Sequence, residues 1–213
     1  LDNLTVRYGG LTGNNNGGGI YNRGMLTVTD STITANATTR YGGGVANETG
    51  STLTVLNGTI TGNAADYGAG IYIQDGATAT LTGSTLSGNA AVYNGGGIYS
   101  RDATTLTVTD STFSGNSANG SNGGAILSGG TLILSGSTLS GNSAKYGGGL
   151  FAEGTAPGTI INSTFYGNSA TSEGGGISAT SSGPLTVTNS TLSGNSATPY
   201  GGGLQVYGSV TLN

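Results

Sequence analysis

Apolar residues recur along the chain in short runs of period two, and each run is followed at a fixed distance by an asparagine. Val6, Val28, Val55, Leu81, Val108, Leu134, Ile160 and Val187 stand eight positions before Asn14, Asn36, Asn63, Asn89, Asn116, Asn142, Asn168 and Asn195. Successive units are offset by 22, 27, 26, 27, 26, 26 and 27 residues. Such self-similarity marks a repeat protein, whose units bury their apolar faces only against one another. The repeat runs from end to end without a linker, so residues 1–213 read as one elongated domain.

Within a unit, Leu26 and Val28 alternate with Thr27 and Thr29, a half-buried strand rich in β-branched residues. Val28 and Ile33 are an odd number of positions apart, so both face inward only if the chain bends at Asp30-Ser31. Ile33 marks a second strand, and Gly42-Gly-Gly-Val45 a third. The segment between Asn36 and that triplet varies in length from unit to unit and reads as a loop-tolerant turn. The pattern predicts an all-β, three-faced parallel β-helix of about eight rungs of 22–27 residues, without helices, stacked at about 4.8 Å. A leucine-rich repeat shares the period, but the Gly-rich remainder of each unit is a poor helix former.

Composition sharpens this. Gly numbers 44 and Pro three, without a collagen period, and charged residues are 7% of the chain. A net charge of −4 offers no basic surface for nucleic acid and no polybasic membrane anchor. The absence of Cys, His and Trp removes thiol nucleophiles, histidine bases and the usual zinc sites, and no cofactor is expected. No run approaches the ~20 apolar residues of a membrane span, so direct membrane insertion is not expected. A Thr/Ser/Gly/Asn surface suits an extracellular or cell-surface setting. The start at Leu1, on a strand-like run, reads as a mature product or an excised segment.

Phe113-Ser-Gly-Asn116 and Phe165-Tyr-Gly-Asn168, together with Gly123-Gly-Ala-Ile126, resemble the FxxN and GGA[ILV] repeats of bacterial polymorphic outer-membrane proteins. The resemblance covers nearly the whole chain. It implies a pectate-lyase-like right-handed β-helix displayed at a cell surface. Most units carry Leu or Ile for Phe and GGG for GGA, and no membrane barrel follows.

Six sets of residues could carry function. The asparagines read as a structural ladder of stacked amides. The Gly triplets lack the Lys-Ser/Thr of a phosphate loop, and no unit has the Asp of a calcium-binding nonapeptide. Glu48, Asp75 and Asp102 fall in corresponding turns and are the candidate acid and base of a polysaccharide-degrading enzyme, but they read better as solvated turn charges. Arg40 with Asp66, and Lys145 with Glu173, read as exposed ion pairs. Thr5, Thr27, Thr54, Thr80, Thr107, Thr159, Thr186 and Thr211, broken by Ile133, form an outward column. With Thr29, Thr82, Thr109 and Thr188 beside it, it resembles the ice-binding face of β-solenoid antifreeze proteins; Arg7, Leu56 and Ile161 interrupt the second column. Tyr21, Tyr72, Tyr99, Leu127 and Phe151 follow inward residues and should form an exposed stripe, a candidate partner interface.

The chain therefore reads as an extracellular structural or adhesive module, not an enzyme, with ice binding as the alternative and polysaccharide degradation as a remote one. Its partners would be a sister copy, a glycan or a surface protein. Val210-Thr211-Leu212 matches the register assigned to Leu4-Thr5-Val6, with no covering helix at either end. Uncovered strand edges template pairing, so end-to-end stacking into a filament is a further expectation.

Overall fold

The structure is a computed structural model that describes residues 1–11, 15–180 and 182–213. Thirty-two short strands follow one another in a repeating order and build four eight-stranded sheets. Every pairing is parallel, and each strand joins the strand four further along the chain. The result is a solenoid of eight coils with no helix among the described residues. Coil 4 is representative: Thr85–Ser87 lies in sheet 1, Ala90–Asn94 in sheet 2, Ile98–Ser100 in sheet 3 and Thr105–Thr109 in sheet 4.

The solenoid follows the sequence reading, but each coil has four strands rather than three. The extra strand lies in the segment between the asparagine and the Gly triplet. Its variable length suggested a turn, yet its first backbone groups still pair with the coils above and below, as Ala64 with Ala90 and Ala90 with Ser117. Extra residues are absorbed further along as shifts in register, between Ala118 and Asn122 for example. Backbone groups unable to reach water have to find partners, and a neighbouring coil supplies them whatever the side chains.

The first coil is out of the expected register. Val6 pairs with Ile33 in sheet 1, not with Val28, which lies in sheet 4 beside Val55. The true step is therefore 27 residues, and the apparent 22 arose from matching strands of different sheets. Thr5 likewise sits beside Thr32 and leaves the column of Thr27. At the other end Val210 and Leu212 pair with Leu185 and Val187 in sheet 4, so they do not share the register of Leu4–Val6. The chain enters beside sheet 4, where the Leu1 amino group donates to the Thr27 carbonyl at 2.6 Å.

The core is a stack of aliphatic columns. Ile33, Ile60, Leu86, Phe113, Leu139 and Phe165 line it from sheet 1, and Val45, Ile71, Ile98, Ile126, Leu150 and Ile177 from sheet 3, all fully buried. Inward residues stack on like residues one coil away, which leaves alternate residues of each sheet facing outward. That alternation positions every candidate site on this molecule.

Candidate functional site

The polar interior is structural. At the corner between sheets 1 and 2, the Asn89 N–H and Nδ2 both donate to Asn116 Oδ1, at 3.1 and 2.9 Å. The other Asn89 amide hydrogen goes to the Ile60 carbonyl of the preceding coil at 2.9 Å. The same pattern links Asn36, Asn63, Asn89, Asn116, Asn142, Asn168 and Asn195 in sequence. Asn14 lies outside the described residues, and the ladder position of the first coil belongs to Gly9, whose N–H donates to Asn36 Oδ1 at 2.9 Å. A second ladder, at the corner between sheets 4 and 1, escaped the sequence reading. There the N–H of Ser84, Ser111, Ser137 and Ser163 donates to the hydroxyl of the next serine at 3.1–3.3 Å. Serine at a turn has many local uses, so its regular recurrence two residues before the sheet 1 apolar position was the available signal.

The aromatic stripe is not an exposed surface. Tyr72 and Leu127 are fully buried, Phe151 is buried, Tyr99 is half-buried, and Tyr21, in the first coil, is exposed. These residues do point away from the core, as their parity requires, but the tyrosines preceding the Gly triplets fold over Tyr72, Tyr99 and Phe151. Tyr41 stacks on Tyr72 at 4.4 Å between ring centroids, Tyr67 lies 6.2 Å from Tyr99 and Tyr146 lies 6.4 Å from Phe151. Ring faces occupied by neighbouring rings offer little to an external ligand.

Charged groups gather at the end of this aromatic layer. Arg101 forms an ion pair with Asp75 at 3.0 Å and approaches the Tyr72 hydroxyl, which donates to Gln74 Oε1 at 2.7 Å. Burial pushes the Tyr72 hydroxyl up to about 12 against the opposing pull of Arg101. Glu48 is level with Gln74 and one position from the Asp75–Asp102 pair, so the three carboxylates do not form one column. The expected surface pairs also differ. Arg40 and Lys145 stand over the rings of Tyr41 and Tyr146, each at 5.1 Å, and Glu173 accepts from the Tyr207 hydroxyl at 3.0 Å.

Glu153, which the sequence reading passed over, has its carboxyl raised above the usual range by burial and then by the Asp102 carboxylate. A carboxyl raised on folding contributes stability below its unfolded value near 4.5 and loses it as pH rises through the folded value. Glu153→Gln should therefore match the parent's denaturant midpoint near pH 3.5 and exceed it at pH 7. Equal midpoints at both values would show that the carboxylate is fully solvated. The adjoining cavity, lined by Ser128, Gly130, Ala152 and Glu153, has about 10 Å³ of free space, room for about one water and not for a sugar. No group of three metal-ligating side chains occurs among the described residues. Nor is any described helix long and apolar enough to cross a membrane.

What faces solvent in quantity is hydroxyl. On sheet 4 the central outward column is Thr27, Thr54, Thr80, Thr107, Ile133, Thr159, Thr186 and Thr211, in register throughout. Leu56 and Ile161 enter the column on one side of it, and the exposed Met25 begins the column on the other side, beside Thr52. Sheet 1 is more regular. Thr5, Thr32, Thr59, Thr85, Thr112, Thr138, Thr164 and Thr191 form an unbroken column of eight. Two residues on lie Thr34, Thr61, Ser87, Ser114, Ser140 and Ser193, with Arg7 in coil 1 and Tyr166 in coil 7. The sequence pattern puts Thr32 and Thr34 outward, but the column they begin was not followed from unit to unit, and Thr5 was assigned to the sheet 4 face.

A family model described as a right-handed beta helix region matches residues 2–121 and 44–213, which together span nearly the whole chain. No curated protein and no solved structure matches it.

Proposed function

The chain belongs to the right-handed β-helix family, and from that premise we propose that it is a structural or adhesive module working outside the cell or at its surface. One observation carries the reading: the two outward faces of sheets 1 and 4 repeat the same hydroxyl groups coil after coil on a rigid parallel frame. Individual exposed hydroxyl contacts are weak, and such a face gains affinity only by engaging an extended partner at many coils together. The low charge fits contact with a neutral glycan, a surface protein or a sister copy rather than with nucleic acid.

The test is retention on extended surfaces. The purified protein should sediment saturably with insoluble polysaccharide or cell-wall particles, or self-associate in analytical ultracentrifugation. Retention should fall at least several-fold when Thr80, Thr107, Thr85 and Thr112 are all replaced by Lys, with the circular-dichroism spectrum unchanged. Release of reducing ends from a soluble polysaccharide, abolished by Glu153→Gln and indifferent to the threonine changes, would replace this reading with an enzymatic one.

A further inference from the structure

We propose that the outward face of sheet 1 binds crystalline water, an inference that rests on the extended-partner reading above and names the partner. The argument begins with regularity. From coil 2 to coil 6 the face carries Thr or Ser at every outward position, ten hydroxyls in two columns without a break. Rungs repeat at about 4.8 Å and alternate residues of a strand at about 6.7 Å, so the hydroxyls form a two-dimensional grid.

The grid is also stiff. Threonine has restricted χ1 freedom, and the strand beneath it is fixed by pairing on both sides. Among the described residues, no hydroxyl of the Thr32, Thr59, Thr85, Thr112 and Thr138 column bonds within the chain; in the second column Thr61 Oγ1 donates to the Ser87 carbonyl at 2.9 Å and accepts from Ser87 Oγ at 3.0 Å. Each threonine of the first column therefore keeps its donor and acceptors for solvent, beside a methyl group.

Its border leaves room for a flat partner. On the sheet 2 side the corner position is Gly62, Gly88, Gly115 and Gly141 in coils 3 to 6, with nothing within 4 Å of where a side chain would begin. In coil 1 the same position is the exposed Tyr8, and in coil 7 Tyr166 projects from the face, so large side chains stand at the ends of the grid.

The chemistry of the face selects among partners. Protein interfaces concentrate Tyr, Trp and Arg at their centre, and the outward face of sheet 1 presents none of them in coils 2 to 6. A phosphate-bearing polymer would need cations. A sugar surface is favoured by open aromatic platforms, and on this face the open rings, Tyr8 and Tyr166, stand only at the ends, with none between them in coils 2 to 6. What remains is a partner made only of hydrogen-bonding units at a lattice repeat. The oxygen rows of hexagonal ice repeat at a distance close to the strand spacing, so one coil can match one row and the match is carried over successive coils.

The experiment follows fluorescently labelled full-length chain into a slowly growing ice hemisphere and measures inhibition of ice recrystallisation. The parent should be enriched in the ice and arrest grain growth. Thr85→Tyr with Thr112→Tyr should lower both activities at least tenfold while leaving the circular-dichroism spectrum unchanged. A matched pair of exposed residues on sheet 2, Val92→Tyr with Asn119→Tyr, should retain activity within about twofold. Exclusion of the parent from ice overturns the inference. If it is excluded yet sediments with insoluble polysaccharide or self-associates, the extended-partner reading survives and only the ice assignment fails; if it does neither, both fail. Ice binding lost equally in both variants would place the contact on the shared corner rather than on sheet 1 and overturn the assignment of the face.

Discussion

Asn116→Ala should destabilise the solenoid by about 3–5 kcal/mol, because one amide serves two neighbouring coils and its removal strands groups that water cannot reach. Asn116 Oδ1 accepts from both the N–H and Nδ2 of Asn89, and its own Nδ2 donates to the Leu86 carbonyl and to Asn142 Oδ1. Alanine deletes all four bonds and leaves a fully buried Asn89 N–H with no acceptor. Each stranded group costs about 1–3 kcal/mol, and partial relaxation keeps the total below their sum. Asn195→Ala is the control. It removes three bonds at a half-buried site where water can replace them, so about 1–2 kcal/mol is expected. Urea midpoints compare the two, and hydrogen exchange at the Asn89 amide reports whether opening is local, since solenoids can unzip coil by coil. Equal midpoints would show that the ladder carries no more energy in its middle than at its end.

That ladder was legible in the sequence because a buried amide with a fixed partner leaves no freedom in spacing. From Asn36 onward every step is 26 or 27 residues. The inward columns were legible for a related reason: Ile33, Ile60 and Leu86 have to stack at one level, so their alternation cannot drift. The errors fall where side-chain chemistry does not decide the backbone. Sheet 2, the additional one, is held by main-chain pairing at Ala64, Ala90 and Ser117, residues too small to advertise a strand. In the first coil, Val6 could be matched to either Val28 or Ile33 from the pattern alone, and the wrong choice put Asn14 in the ladder and Thr5 on the sheet 4 face. The exposure of Tyr72, Leu127 and Phe151 was misjudged because parity tells whether a side chain leaves the core, not whether another part of the coil returns to cover it. Tyr41 and Tyr146 do so from the sheet 2 segment, whose length the repeat leaves free.

Gly95→Ala should cost about 3–4 kcal/mol, where Gly88→Ala, seven residues earlier, should cost about 1–2. Both glycines hold left-handed backbone, at φ +66° and +60°, so the conformational penalty of a side chain is shared. Their surroundings differ. A Cβ at Gly95 would stand 2.5 Å from the Ile98 carbonyl oxygen and 2.6 Å from the Tyr99 nitrogen, whereas at Gly88 nothing lies within 4 Å. The clash at Gly95 is with backbone that is itself paired to the coils on either side, and it cannot be relieved by turning a side chain. The chain itself supports the distinction. Ala35 occupies the corner level with Gly62 and Gly88 at φ +52°, so that corner tolerates a methyl group. The second and third glycines of the triplets are replaced by Ala69 and Ala125, but the first is Gly42, Gly68, Gly95, Gly123, Gly147, Gly174 and Gly201, each left-handed. Denaturant midpoints of the two variants measured side by side decide the matter. A Gly95→Ala loss no larger than that of Gly88→Ala would show that the sheet 2 to sheet 3 corner shifts freely, and that the triplet's first glycine is required for its dihedral angles alone.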